Sequence, residues 1–136
     1  MTIGIVLAAL ALGAAEPYDW PLDLPRALTS SFAEYRPGRF HAGIDLRTGP
    51  VGKAVHAPAD GHVSRIRCSP WGYGKAVYVQ LADGNTVVFG HLQGFSAPLE
   101  AYVRAHQHRL RSYTVDLYPE AGAFPVRRGE VIARSG

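Results

Sequence analysis

Between Lys75 and Leu92 the sequence admits few folds. Val77, Val79 and Leu81 alternate with Ala76, Tyr78 and Gln80, Asp83-Gly84-Asn85 supplies turn residues, and Thr86 to Leu92 runs back. A period of two puts one set of side chains on a single face, so the stretch predicts an antiparallel β-hairpin. His62–Cys68, with Val63 and Ile66, predicts another strand with one wet face. Leu28–Tyr35, Ala54–Ala57 and Glu130–Arg134 add further ones. The turns between them carry the expected residues: Arg36-Pro37-Gly38, and Pro58-Ala59-Asp60-Gly61 with Gly61 placed for a positive φ. Thr48–Gly52 and the glycine-rich Ser69–Gly74, with Trp71 and Tyr73, read as loops.

The period changes once. From Ser96 to Ser112 a single helical stripe takes in Leu99, Tyr102, Val103, His106, Leu110 and Tyr113. Ser96 is placed to cap this helix, Pro98 and Glu100 suit its first turn, and Arg109 and Arg111 its last. The expected architecture is therefore mainly β with one helical insertion over about 96–112.

A chain of 136 residues has room for one domain with one core. Its 47% apolar and 18% charged residues exclude a disordered segment, and a net charge of +3 is too mild for a nucleic-acid footprint. It does favour an anionic polymer such as a cell wall. Residues 1–15, MTIGIVLAALALGAA, are too short to span a bilayer and have the length of a signal-peptide core, although no Lys or Arg precedes them. Export to the periplasm, cell envelope or medium is expected, without stable membrane insertion after cleavage. Residues 16–27, with Pro17, Pro21 and Pro25, read as an extended lead-in anchored by Trp20, ahead of a domain at 28–136. Cys68 is the only cysteine, so no internal disulfide forms, and it reads as a half-buried strand residue.

Arg39-Phe40-His41-Ala42-Gly43-Ile44-Asp45-Leu46 carries the chemistry. An imidazole and a carboxylate are both zinc ligands, but four residues along a straight strand set them roughly 13 Å apart. A shared ion needs a bent segment, and Gly43 supplies the bend. Taken alone, the pair reads more readily as His41 capping a turn and Asp45 making a surface hydrogen bond.

Four further blocks accompany that segment: Ala54–Val63 (AVHAPADGHV), Gly72–Val79 (GYGKAVYV), Val88–Leu92 (VFGHL) and Val126–Gly136 (VRRGEVIARSG). Together, over residues 28–136, they make the chain resemble the lysostaphin-like (LytM-type) zinc endopeptidases that cut peptidoglycan peptide cross-links. The resemblance implies an antiparallel β-sandwich of the duplicated hybrid motif type, Zn2+ as cofactor, His41 and Asp45 as metal ligands, and His91 as the catalytic proton-transfer or charge-stabilising group. Arg36 and Tyr73 are placed to line a substrate groove, and Phe89 stands where many relatives have Tyr. The family's third ligand belongs to a His-x-His that follows the last block. The pair present, His106-Gln107-His108, precedes that block and falls in the helix, where residues two apart point roughly 200° away from each other. It is therefore expected to be a decoy, and the sequence to be a fragment cut before the true pair, binding zinc weakly and showing little activity. His56 and His62 are expected in paired strands, on the sheet surface.

Two other functions compete. One is a degenerate member of the same family that binds wall or activates other hydrolases; keeping His41, Asp45 and His91 together argues for the enzyme. The other is a lipoyl, biotinyl or phospho-histidine carrier domain, which shares the pattern of Val55–Val63. Neither Lys53 nor Lys75 sits in an evident carrier hairpin tip.

Overall fold

The structure is a computed structural model and describes residues 17–50 and 52–136. The expected signal segment, 1–15, lies outside the described residues. The fold is mainly β, with several antiparallel sheets and a single helix among the described residues.

The central hairpin forms as its alternation requires. Strand β6 (Gly61–Cys68) pairs with β7 (Lys75–Leu81), and β7 with β8 (Thr86–Phe89). On the other edge of β6 lie β10 (Val115–Leu117) and β11 (Pro125–Val126). Val77, Val79 and Leu81 are buried as expected, and Ala76 is buried with them. In β6 the buried residues are Val63, Ile66 and Cys68, which do not follow one period of two. The register shift between Val63 and Arg65 explains this: an extra residue, Ser64, moves the inward face from odd to even positions. Cys68 is fully buried rather than half-buried, and loss of hydration pushes its thiol pKa up.

A second sheet orders β5 (Ala54–His56), β12 (Val131–Ser135) and β9 (Leu92–Phe95), with β12 in the middle. Val55, Leu92, Phe95, Ile132 and Ala133 from this sheet join Val63, Ile66, Val77 and Val79 from the first in one core. Two expectations change here. Strands β5 and β6 lie in different sheets, so His56 and His62 are not on paired strands. The expected strand Thr86–Leu92 is two strands, one in each sheet, broken at Gly90-His91 where His91 takes φ +55°.

Gly61 does not have a positive φ; it begins β6, and a Cβ there would stand 2.2 Å from the Gln80 carbonyl oxygen. Close backbone approach is what demands glycine at this turn. Leu28–Tyr35 also divides, into β1 (Leu28–Ser30) and β2 (Tyr35–Arg36), separated by a turn with Ala33 at φ +60°. Strand β2 pairs with β3 (Arg39–Phe40) across Pro37-Gly38, and Gly38 has the φ of +76° that a Pro-Gly turn requires.

Helix α1 runs Ala97–Leu110. Ser96 occupies the cap position, but its hydroxyl makes no cap bond; the Glu100 carboxylate accepts from the Phe95 amide instead, at 3.2 Å. Leu99 and Val103 are buried and Tyr102 packs against the core, whereas Leu110 and Tyr113 are exposed, so the apolar stripe is two turns long. The helix is not long and apolar enough to cross a membrane. Ahead of the sheets, residues 17–24 lie across the surface: the His56 amide donates to the Pro21 carbonyl at 2.8 Å and Leu22 bridges to Val55. Buried Leu22 is the anchor, with half-buried Trp20 packed beside it.

Candidate metal centre

The bend that His41 and Asp45 need comes from backbone pairing on both sides of Gly43. The His41 amide donates to the Glu34 carbonyl at 2.9 Å, and the His41 carbonyl accepts from Ala33 at 2.8 Å, which ties His41 to the base of the β2–β3 hairpin. Asp45 opens β4 (Asp45–Leu46), which pairs with β1 so that Asp45 stands opposite Ser30. Between them the chain turns, and His41 Nε2 comes 3.3 Å from Asp45 Oδ1.

The imidazole is held by its other nitrogen. His41 Nδ1 lies 3.0 Å from the Ser31 carbonyl oxygen and 3.0 Å from Ser30 Oγ. A carbonyl only accepts, so Nδ1 donates to it, and Nε2 is the nitrogen left facing the carboxylate. Two lone pairs facing each other repel unless a proton or a cation stands between them. Two ligands of a tetrahedral ion with bonds of about 2.0–2.1 Å lie about 3.3–3.4 Å apart, which is the spacing found. A neutral imidazole with its far N–H on a backbone carbonyl is the usual support for a metal-binding histidine. The donor chemistry, the support at Nδ1 and the spacing therefore fit a zinc ion. Among the described residues no three His, Cys, Asp or Glu side chains gather into a metal-binding group.

Asp45 Oδ2 is engaged by Arg36, whose Nη2 donates to it at 2.7 Å and to Ser30 Oγ at 3.1 Å. Neither serine was singled out from sequence; their role follows from pairing across β1 and β4, which local pattern does not reveal.

His91 is exposed at the corner between β8 and β9. Its amide donates to the Tyr73 carbonyl at 2.8 Å, and its ring meets the Tyr73 ring edge to face, centroids 6.1 Å apart. The Gly136 amide donates to the His91 carbonyl at 3.1 Å, and Thr48 Oγ1 reaches the Gly136 carbonyl at the long limit of 3.5 Å. The end of β12 thus lies between the corner that carries His91 and the loop that follows Asp45. Half-buried Phe89 packs against the core.

The remaining histidines lie elsewhere. His56 is clasped between Asp23 Oδ2 at 2.9 Å and the Gly129 carbonyl at 2.8 Å, joining the lead-in to the second sheet. His62 is half-buried in β6, opposite Gln80 of β7 and Pro125 of β11. His106 lies on α1 with Nδ1 2.8 Å from the Tyr102 carbonyl and its ring against Tyr102, while His108 is exposed. A hollow of about 350 Å³ lined by Gln107, His108, Arg111, Ser112 and Tyr113 holds none of His41, Asp45 and His91. It is a surface depression, not the centre of the chemistry.

No curated protein and no solved structure matches the chain significantly. The sequence model of Peptidase family M23 matches residues 39–108, which is just over half of the 136. That range contains His41, Asp45 and His91 with four of the five sequence blocks, the block at 126–136 falling outside it. With a mainly β fold and a bent His41–Asp45 pair on the same chain, the match shows that this protein belongs to peptidase family M23.

Proposed function

We propose that the protein is a zinc-dependent endopeptidase that hydrolyses peptide cross-links of bacterial peptidoglycan. The observation that carries this reading is the 3.3 Å approach of His41 Nε2 to Asp45 Oδ1, with the histidine's other nitrogen already bonded to a carbonyl. In this reading His41 and Asp45 would hold the ion, whose chemistry would be to acidify a water and polarise a peptide carbonyl. The Ser31 carbonyl and Ser30 hydroxyl keep the imidazole turned with Nε2 outward. His91, exposed on a corner that Tyr73 braces, moves the proton or stabilises charge on the carbonyl oxygen. Tyr73, half of it open to solvent, forms one wall for the peptide. The net charge of +3 suits an anionic wall, and the apolar run at residues 1–15 supports export to the periplasm or cell envelope.

Zinc analysis beside a turbidity assay on purified cell walls, in the full-length gene product, tests this. His41→Ala and Asp45→Ala are expected to lose metal and hydrolysis together. His91→Ala is expected to keep the metal and slow hydrolysis about 10²–10⁴-fold. Wall binding without metal-dependent hydrolysis would make the protein a degenerate member of the family, and loss of zinc in His91→Ala would make His91 a ligand.

A further inference from the structure

We propose that Arg36 is a positioning residue for the metal centre, and that it restricts the Asp45 carboxylate to a single metal bond. This rests on the reading of His41 and Asp45 as ligands. Asp45 is about two-fifths exposed on a strand of two residues, so packing alone does not hold its carboxylate in one orientation. A free carboxylate can present both oxygens to a cation or rotate away from His41. Arg36 Nη2 removes that freedom: it donates to Oδ2 at 2.7 Å while Oδ1 faces His41 Nε2 at 3.3 Å. The same nitrogen donates to Ser30 Oγ at 3.1 Å, and Ser30 Oγ lies 3.0 Å from His41 Nδ1. One guanidinium group is thus coupled to both proposed ligands, directly to the carboxylate and through Ser30 to the imidazole.

Its own position is fixed by the fold. Arg36 ends β2, three residues before Arg39, its partner across the Pro37-Gly38 turn. The hairpin that ties down the His41 backbone therefore also delivers the cation to Asp45. A guanidinium placed here sets geometry rather than supplying net attraction, because its charge opposes that of a metal ion. Groups that orient ligands in this way typically affect metal affinity by about 10–100-fold.

The test is zinc titration calorimetry on the full-length gene product, comparing wild type, Arg36→Ala, Arg36→Lys, Asp45→Asn and the double variant Arg36→Ala/Asp45→Asn. Arg36→Ala is expected to weaken zinc binding about 10–100-fold. Arg36→Lys keeps a donor at this site and is expected to recover part of the loss. In the Asp45→Asn background, Arg36→Ala is expected to have little further effect, because the carboxylate it orients is gone. A merely structural arginine would not show that dependence. Unfolding of each variant without metal, followed by circular dichroism, separates loss of fold from loss of affinity, and Arg36→Lys serves if Arg36→Ala does not fold. Unchanged affinity in both Arg36 variants, or an equal loss with and without the Asp45 carboxylate, overturns the proposal and leaves the ligand reading standing. Zinc binding by wild type no tighter than by His41→Ala overturns both.

Discussion

Tyr73 and His91 hold each other: the His91 amide donates to the Tyr73 carbonyl at 2.8 Å, and the rings meet edge to face. Gly90 makes this possible, since a Cβ there would lie 3.1 Å from Tyr73 Cδ1. Gly90→Ala is expected to push the Tyr73 ring aside at a cost of about 1 kcal/mol. Denaturant unfolding measures the cost, and the chemical shifts of the His91 ring report the displacement.

His91 pays for its corner with a left-handed backbone, at φ +55°. A non-glycine residue is strained there by roughly 1–2 kcal/mol. His91→Gly is therefore expected to stabilise the domain by about 0.5–1 kcal/mol, while His91→Ala keeps the strain. If both variants lose wall hydrolysis while only the glycine variant gains stability, the strain is held for the sake of the imidazole. Equal unfolding midpoints would remove that argument.

Gly61→Ala is expected to destabilise the domain by about 3 kcal/mol, because the added methyl group meets the backbone of β7 rather than a movable side chain. The loss should appear in denaturant unfolding. Gly84→Ala tests the other reason for glycine, since its φ is +91° with open space around it. Its cost should be nearer 1 kcal/mol.

On helix α1 the energetic contrast follows burial. Leu99→Ala is expected to cost about 2–4 kcal/mol, as Leu99 is 3% exposed, whereas Leu110→Ala, at 56% exposed, should stay within about 0.5 kcal/mol. Thermal unfolding of the two variants side by side checks this.

Arg65 and Asp116 join β6 to β10 through two bonds, 2.7 and 2.6 Å, with the guanidinium also lying over Tyr78 and Tyr118. Hydrogen bonds from Arg65 hold the Asp116 carboxyl below the usual carboxylate range. The folded group is then more acidic than the unfolded one, so its contribution is present above about pH 4 and lost as pH falls through the folded pKa. The pair is partly exposed and screened, so Asp116→Asn should cost about 1 kcal/mol at pH 7. That difference should shrink below about pH 4, as urea unfolding at several pH values would show.

Elements whose signal is local are legible in the chain before it folds. Alternation in Lys75–Leu81 specified β7 with its bounds, Asp83-Gly84-Asn85 specified the turn, and the change of period specified α1. The sequence also implied that His41 and Asp45 could share an ion only on a bent segment, with Gly43 able to supply the bend, because a straight strand holds them too far apart. Other features depend on contacts distant in sequence and emerge only on folding. The run Thr86–Leu92 is continuous in pattern, yet it changes sheets at Gly90-His91, because β9 has a partner in β12 some forty residues later. Val63 and Ile66 share a face only through the bulge at Ser64. Gly61 reads as a turn glycine until β7 is laid against it. The surroundings of His41 arise in the same way: Ser30, Ser31 and Arg36 reach the imidazole and the carboxylate because β1 pairs with β4 and β2 with β3. Hydrophobic period records which face of an element is buried, whereas the orientation of a ligand is set by hydrogen bonds from other strands, which leave no period in the sequence.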